Sequence, residues 1–80
     1  MQKYQYHTEQ IEIKDKTLKQ AREEGVTDGD VWDPLEDLAY QMTQRQNVFA
    51  AEGWQVTATT YVPDRPYPAA LITYQRILEE

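Results

Sequence analysis

The chain has 80 residues, a formal net charge of −6 and no cysteine, which together indicate one small acidic domain spanning residues 1–80. The lack of cysteine excludes disulfides and thiolate metal sites, and the acidic excess argues against binding of a nucleic-acid backbone. No apolar run approaches the roughly 20 residues of a membrane span, and the first residues do not form a signal peptide. We therefore expect a cytoplasmic protein without membrane or nucleic-acid partners.

The alternating pattern of residues 3–13 predicts the first strand. The aromatic residues of its first half alternate on one side, whereas Ile11 and Ile13 fall on the other side. Either a bulge near residues 8–10 or a break at that point would reconcile the two phases, and we favour one bulged strand.

Residues 14–32 have the weakest pattern and are either an insertion or a connector. Asp15 is placed to cap a short helix that Gly25 would end, and Val26 would then fold back onto that helix. The turn-rich stretch that follows leads to Trp32, which is placed to pack as a hydrophobic staple on the first turn of the next helix.

A main amphipathic helix is predicted over residues 34–52. Asp33 is placed as its N-cap, Pro34 occupies the first helical position, and Gly53 supplies the C-terminal stop. Apolar residues recur at helical spacing and predict the buried face, with Arg45 as an interruption. The apolar positions are Leu35, Leu38, Ala39, Met42 and Phe49.

Two further strands follow, over residues 54–62 and 69–78, with a proline-rich loop between them. In the second strand, one alternating set is the better core face and is expected under the helix: Trp54, Val56, Ala58, Thr60 and Val62. The third strand is apolar in both phases, which predicts that both of its faces are covered. One helix covers one face only, so the other should meet either residues 14–32 or a second copy of the protein.

These elements predict an α+β fold with a three-stranded, mostly antiparallel sheet in the chain order β-α-β-β. The main helix packs on one face, and an extra short helix precedes it. We prefer a hairpin of the last two strands. The first strand then lies either beside the second in parallel or on the far side of the third.

Three stretches carry a family resemblance: K-Y-Q-Y at residues 3–6, A-A-E-G-W-Q-V at 50–56 and I-T-Y-Q-R at 72–76. They resemble domain of unknown function 4177, a small bacterial and phage family, over the first ten residues and residues 33–80. The resemblance implies a strand, a helix and two closing strands. It implies no chemistry, because the family has no accepted activity and no site residues to carry over. The glycine and tryptophan of the motif have a structural explanation, as helix stop and strand start.

The search for catalytic or metal-binding residues is negative. His7 is the only histidine, and although Glu9 could orient it as a base, a structural strand histidine is the better interpretation. There is no serine, and the spacing of Asp28, Asp30 and Asp33 does not match a calcium loop. We predict no catalytic, cofactor-binding or metal site, and hence no enzyme.

Six tyrosines and two tryptophans in 80 residues fit a surface for protein contacts and equally fit cross-strand tyrosine pairs on a half-exposed sheet face. Our leading hypothesis is a non-enzymatic interaction module, a homo-oligomer that self-associates through an open sheet face or edge. One alternative is an acidic, phage-type inhibitor that docks a basic protein surface with a patch of Glu23, Glu24, Glu36 and Asp37. The other is a small-ligand binder with a pocket between subunits lined by Tyr and Arg. The predicted interaction surface comprises Tyr61, Arg65, Tyr67, Leu71 and Tyr74.

Overall fold

The computed structural model describes residues 3–62 and 66–78. The elements are β1 (Lys3–Glu12), α1 (Leu18–Glu23), α2 (Pro34–Ala51), β2 (Gln55–Val62) and β3 (Ala69–Leu78). The strands form one antiparallel sheet in the order β1-β3-β2, and α2 packs on one face of it. The predicted α+β fold, the hairpin of the last two strands and the extra short helix are confirmed. Of the two arrangements left open for the first strand, the structure shows the one in which the third strand separates it from the second.

β1 is a single regular strand without a bulge. Its pairing with β3 runs unbroken from Lys3 opposite Leu78 to Glu12 opposite Ala69. The predicted bulge in this strand is therefore wrong. The two conflicting phases are the two faces of one strand, because Ile11 points to the core while the tyrosines point away from α2.

A bulge does occur in β2, between Val56 and Ala58. Residues directly opposite each other in a sheet lie on the same face. Beyond the bulge, Thr59 lies opposite Ile72 and Tyr61 opposite Ala70, which are both core residues. Ala58, Thr60 and Val62 consequently lie on the face away from α2. The predicted core face of this strand is wrong after the bulge, because one extra residue reverses the alternation.

Both helices end in the same glycine motif. Gly53 after α2 has φ of +87°, and the next residue donates its N–H to Phe49 O at 3.0 Å. Gly25 after α1 has φ of +78°, and the next residue donates its N–H to Ala21 O, also at 3.0 Å. A positive φ is the reason that glycine is needed at these two positions. Both predicted glycine stops are confirmed.

The predicted N-caps are right for one helix and wrong for the other. Asp33 Oδ1 accepts a hydrogen bond of 3.0 Å from Leu35 N, as predicted for α2. In α1, the cap is Thr17 and not Asp15. Thr17 Oγ1 accepts from Gln20 N at 3.2 Å, and Gln20 Oε1 accepts from Thr17 N at 2.9 Å, which makes a full capping box.

The hydrophobic core lies between α2 and the sheet. Its buried members are Ile11, Ile13, Leu38, Trp54, Ala70, Ile72 and Tyr74. The predicted buried face of the main helix is wrong at Leu35, which is 56% exposed, and at Ala39, which is also exposed. Within the two described ranges, no helix is both long enough and apolar enough to cross a membrane.

Candidate functional site

The sheet face turned away from α2, here called the open face, carries a band of exposed apolar side chains. Its strand positions are Tyr4, Tyr6, Thr8, Gln10 and Glu12 of β1; Ala69, Leu71, Thr73, Gln75 and Ile77 of β3; and Gln55, Ala58, Thr60 and Val62 of β2. Glu12 is the only charged residue in this set, although the whole chain carries a net charge of −6. The apolar side chains include Tyr6, which is 60% exposed, and Ile77, which is 52% exposed.

No described element covers the open face. Among the described residues, α1 contacts none of the strands. Of the two predicted covers for the third strand, residues 14–32 do not supply one through α1. The second copy stays a prediction. The sequence already marked this face by the phase of Tyr4 and Tyr6, opposite to that of Ile11.

The overall dimensions reflect the missing layer. The Cα radius of gyration is 15.1 Å, whereas a compact domain of this length has one of roughly 12 Å. The accessible surface is 5796 Å². A monomer of 9.4 kDa typically has about 5,000 Å². The surface is thus about 800 Å² larger than that average.

A buried ion cluster holds the segment before α2 in place. Lys16 Nζ lies 2.7 Å from Asp37 Oδ2 and 2.6 Å from Glu24 Oε2. Asp37 is fully buried and also accepts hydrogen bonds from Trp32 Nε1 at 2.9 Å and Gln41 Nε2 at 3.4 Å. Burial lowers the pKa of Lys16, but the hydrogen bonds to Asp37 and Glu24 outweigh this effect and leave the pKa above its ordinary value.

This cluster overturns the acidic patch predicted for an inhibitor. Asp37 is buried, and Glu24 is engaged by Lys16. Of the four predicted acids, only Glu23 and Glu36 are both exposed and not bound to Lys16. Trp32 reaches the first turn of α2 as predicted. The contact includes a hydrogen bond from its indole N–H to the carboxylate of Asp37.

A second polar group lies on the covered face of the sheet. Arg45 binds Glu9 with two hydrogen bonds, Nε to Oε1 at 3.1 Å and Nη2 to Oε2 at 2.9 Å. Tyr74 donates its hydroxyl to Glu9 Oε1 at 3.2 Å. The Arg45 hydrogen bond lowers the pKa of Glu9, and burial, with the Glu9 charge, raises the pKa of Tyr74 to about 12. These hydrogen bonds hold the Glu9 carboxylate in position between Arg45 and Tyr74.

His7 lies in an aromatic cluster. Its ring stacks on Phe49 with centroids 5.2 Å apart and meets Trp54 at 6.2 Å. Phe49 in turn stacks on Tyr74 at 4.1 Å. These contacts explain His7 as a packing residue. The parts of the chain that the structure describes contain no group of three or more potential metal ligands.

A groove of 570 Å³ opens at the end of the sheet where β3 continues past the start of β2. Its lining includes Tyr4, Glu52, Gln55 and Arg76. The Arg76 guanidinium lies 4.5 Å from the centroid of the Trp54 ring, and its Nη2 donates to a glutamine of β1 at 2.8 Å. The groove thus combines a tyrosine and an oriented arginine, the residue types predicted for a ligand pocket. The predicted pocket lies between subunits, whereas this groove lies within one chain.

The residues predicted as one interaction surface do not lie together. Leu71 is on the open face, and Tyr61 is exposed on the other face of β2. Tyr67 is half-buried against Trp32, with ring centroids 5.5 Å apart. Tyr74 is fully buried, so its assignment to a surface is wrong. The remaining member, Arg65, lies outside the described residues. The open-face residues Tyr4, Tyr6 and Ile77 were missed.

No family model, curated protein or solved structure matches this chain. The resemblance to domain of unknown function 4177 therefore stays a prediction.

Proposed function

We propose that this protein is a non-enzymatic interaction module that self-associates through the open face of its sheet. The observation that carries the proposal is the open face of the sheet, which exposes tyrosine, leucine and isoleucine side chains and has one charged residue among its strand positions, in an otherwise acidic chain. Depletion of charge and enrichment of tyrosine distinguish interface cores from the rest of a protein surface. Tyr4, Tyr6, Leu71 and Ile77 supply this pattern.

A second copy is the occupant that the dimensions favour. The excess surface of about 800 Å² is similar in size to the area that one partner buries in a standard interface. A face that meets its own copy across a two-fold axis needs no other protein, because the same residues serve both sides. Two such sheets, packed with the helices outside, would give each copy the second layer that β3 lacks.

The test is the mass of the native protein in solution, with Leu71→Glu as the variant. Leu71 lies on the open face of the central strand, opposite Gln10 and Thr60. Leu35→Glu is the matched control, because Leu35 is an exposed leucine at the start of α2, away from the sheet. We expect a discrete oligomer for the wild type and for Leu35→Glu, and a lower mass for Leu71→Glu.

Circular dichroism must show that both variants are folded. A folded Leu71→Glu protein with the wild-type mass, or a wild type that is monomeric, would contradict self-association through this face. Native mass spectrometry of protein from gentle purification also addresses the small-ligand alternative. Extra mass that disappears in an Arg76→Gln variant would place a ligand in the groove.

A further inference from the structure

We infer that two copies also join edge to edge, with β2 pairing antiparallel to β2 of the second copy, so that one sheet of six strands forms. This inference rests on the proposed function in that both contacts unite copies of the same chain. It concerns a different surface, the outer edge of the sheet.

The two edges of the sheet differ in character. Because β3 is central, β1 and β2 each have one side on which none of the described strands pairs. β2 has the sequence Q-V-T-A-T-T-Y-V, which contains no charge, no proline and no glycine, and it is exposed over nearly its whole length. Strands rich in valine, threonine and tyrosine with no charge are the ones that add a neighbour most readily.

β1 has the protection that isolated edge strands normally carry. It contains Lys3, Glu9 and Glu12, and Arg45 of α2 reaches across to Glu9. Charged side chains on an edge discourage pairing with another chain. The contrast points to β2 as the edge that is not protected against pairing.

The bulge determines which part of β2 can pair. It lies between Val56 and Ala58, near the start of the strand, and leaves residues 58–62 in regular register. A two-fold axis through Thr60 would pair Ala58 with Val62 of the second copy and Thr59 with Tyr61. All five residues are neutral. Two copies that each carry a net charge of −6 can therefore pair there without like charges facing each other.

The edge contact is compatible with the face contact. A two-fold axis perpendicular to the sheet leaves both open faces on the same side, so the pair presents one continuous surface of six strands. Two such pairs can then meet face to face. The two contacts together therefore predict a tetramer with two kinds of two-fold interface, a common symmetry of soluble oligomers.

The variant for the edge is Thr59→Lys combined with Tyr61→Lys. Both residues are exposed and lie on the side of β2 away from the open face, opposite Ile72 and Ala70. In the inferred register, the introduced lysines oppose each other twice, which is unfavourable. The matched control is Thr43→Lys with Val48→Lys, which adds the same charge at two exposed positions of α2.

The experiment is native mass spectrometry of the wild type, both lysine pairs, Leu71→Glu and its combination with the β2 lysine pair, each checked for folding by circular dichroism. We expect a tetramer for the wild type and for the α2 control. We expect a dimer for the β2 lysine pair, a dimer for Leu71→Glu and a monomer for the combination. Amide hydrogen exchange should show that the β2 lysine pair loses protection in β2.

The outcomes separate the two contacts. A wild-type dimer that Leu71→Glu converts to a monomer overturns the edge contact and leaves the proposed function intact. A wild-type dimer that only the β2 lysine pair dissociates supports the edge contact and overturns the face contact. A folded β2 lysine pair that remains tetrameric overturns the edge contact, and a monomeric wild type overturns both.

Discussion

Replacing Lys16 with methionine should destabilise the fold far more than the same change at Lys19. The Lys16 ammonium lies 2.7 Å from the carboxylate of Asp37, which is fully buried, and is itself only 15% exposed. Lys19 is 86% exposed, and its carboxylate partner lies 4.0 Å away. Without Lys16, the Asp37 carboxylate would keep only the neutral donors Trp32 and Gln41.

The size of the effect follows from burial. Leaving one member of a buried ion pair without its partner costs about 3–5 kcal/mol of unfolding free energy. Because Lys16 is not completely shielded from water, the lower end, about 3 kcal/mol, applies. A domain of this length has a total stability of roughly 4–12 kcal/mol. The change at the exposed Lys19 should stay within about 0.5 kcal/mol.

Urea unfolding followed by tryptophan fluorescence measures both variants. With a slope of roughly 1 kcal/mol per molar urea, the midpoint of Lys16→Met should fall by about 3 M. Lys16→Met combined with Asp37→Leu should recover part of the loss, because no buried charge then lacks a partner. Since the pKa of Lys16 is raised by folding, its contribution is present below pH 10.5 and is lost as the pH rises through the folded value. Equal midpoints for Lys16→Met and Lys19→Met would refute this reasoning.

Two further stability predictions use the same assay. Tyr74→Phe removes the hydrogen bond to Glu9 and should cost about 1 kcal/mol at pH 7. Because folding raises the pKa of Tyr74 from 10.0 to about 12, the wild type should lose stability between these pH values. The difference in unfolding free energy between the wild type and Tyr74→Phe should therefore be smaller at pH 11 than at pH 7. A difference that stays constant would argue against this role of the hydroxyl. Gly53→Ala should cost about 1–2 kcal/mol because φ is +87° there. Gly29→Ala should change the unfolding free energy by no more than about 0.5 kcal/mol, since φ of Gly29 is not positive and the added methyl meets Thr27 Oγ1 at 3.7 Å. Similar losses for Gly53→Ala and Gly29→Ala would contradict the explanation from positive φ.

The parts of the fold that the sequence predicts correctly depend on short-range patterns. The main helix was predicted over residues 34–52 and observed at Pro34–Ala51, because its aspartate cap and glycine stop act within one turn. The third strand was predicted with its observed bounds, Ala69–Leu78. Of its two apolar phases, the one with Ala70, Ile72 and Tyr74 is buried, and the cover predicted for the other stays a prediction.

The features that were missed join residues far apart in the chain. In the sequence, Arg45 interrupts an apolar helix face, which indicates a half-buried helix. Nothing local identifies its partner as Glu9, 36 residues earlier. Asp37 was interpreted as an exposed acid of the first helical turn, because no pattern near Lys16 indicates that the connector folds against it. No glycine marks the bulge in β2 in the sequence. The one extra residue of the bulge places three later residues on the face opposite to the predicted one.

The position of β3 determines the order in which the chain can fold. Both other strands pair only with β3, which is the last of the three to be synthesised. Until it emerges from the ribosome, β1 and β2 have no strand to pair with, and α2 has no complete sheet to pack on. The contacts between residues 3–12 and 69–78 also close nearly the whole described chain into one loop, which slows folding. β1 therefore has no partner strand until residues 69–78 have been synthesised, and its tyrosines and Ile11 are meanwhile open to any chaperone that binds extended apolar segments.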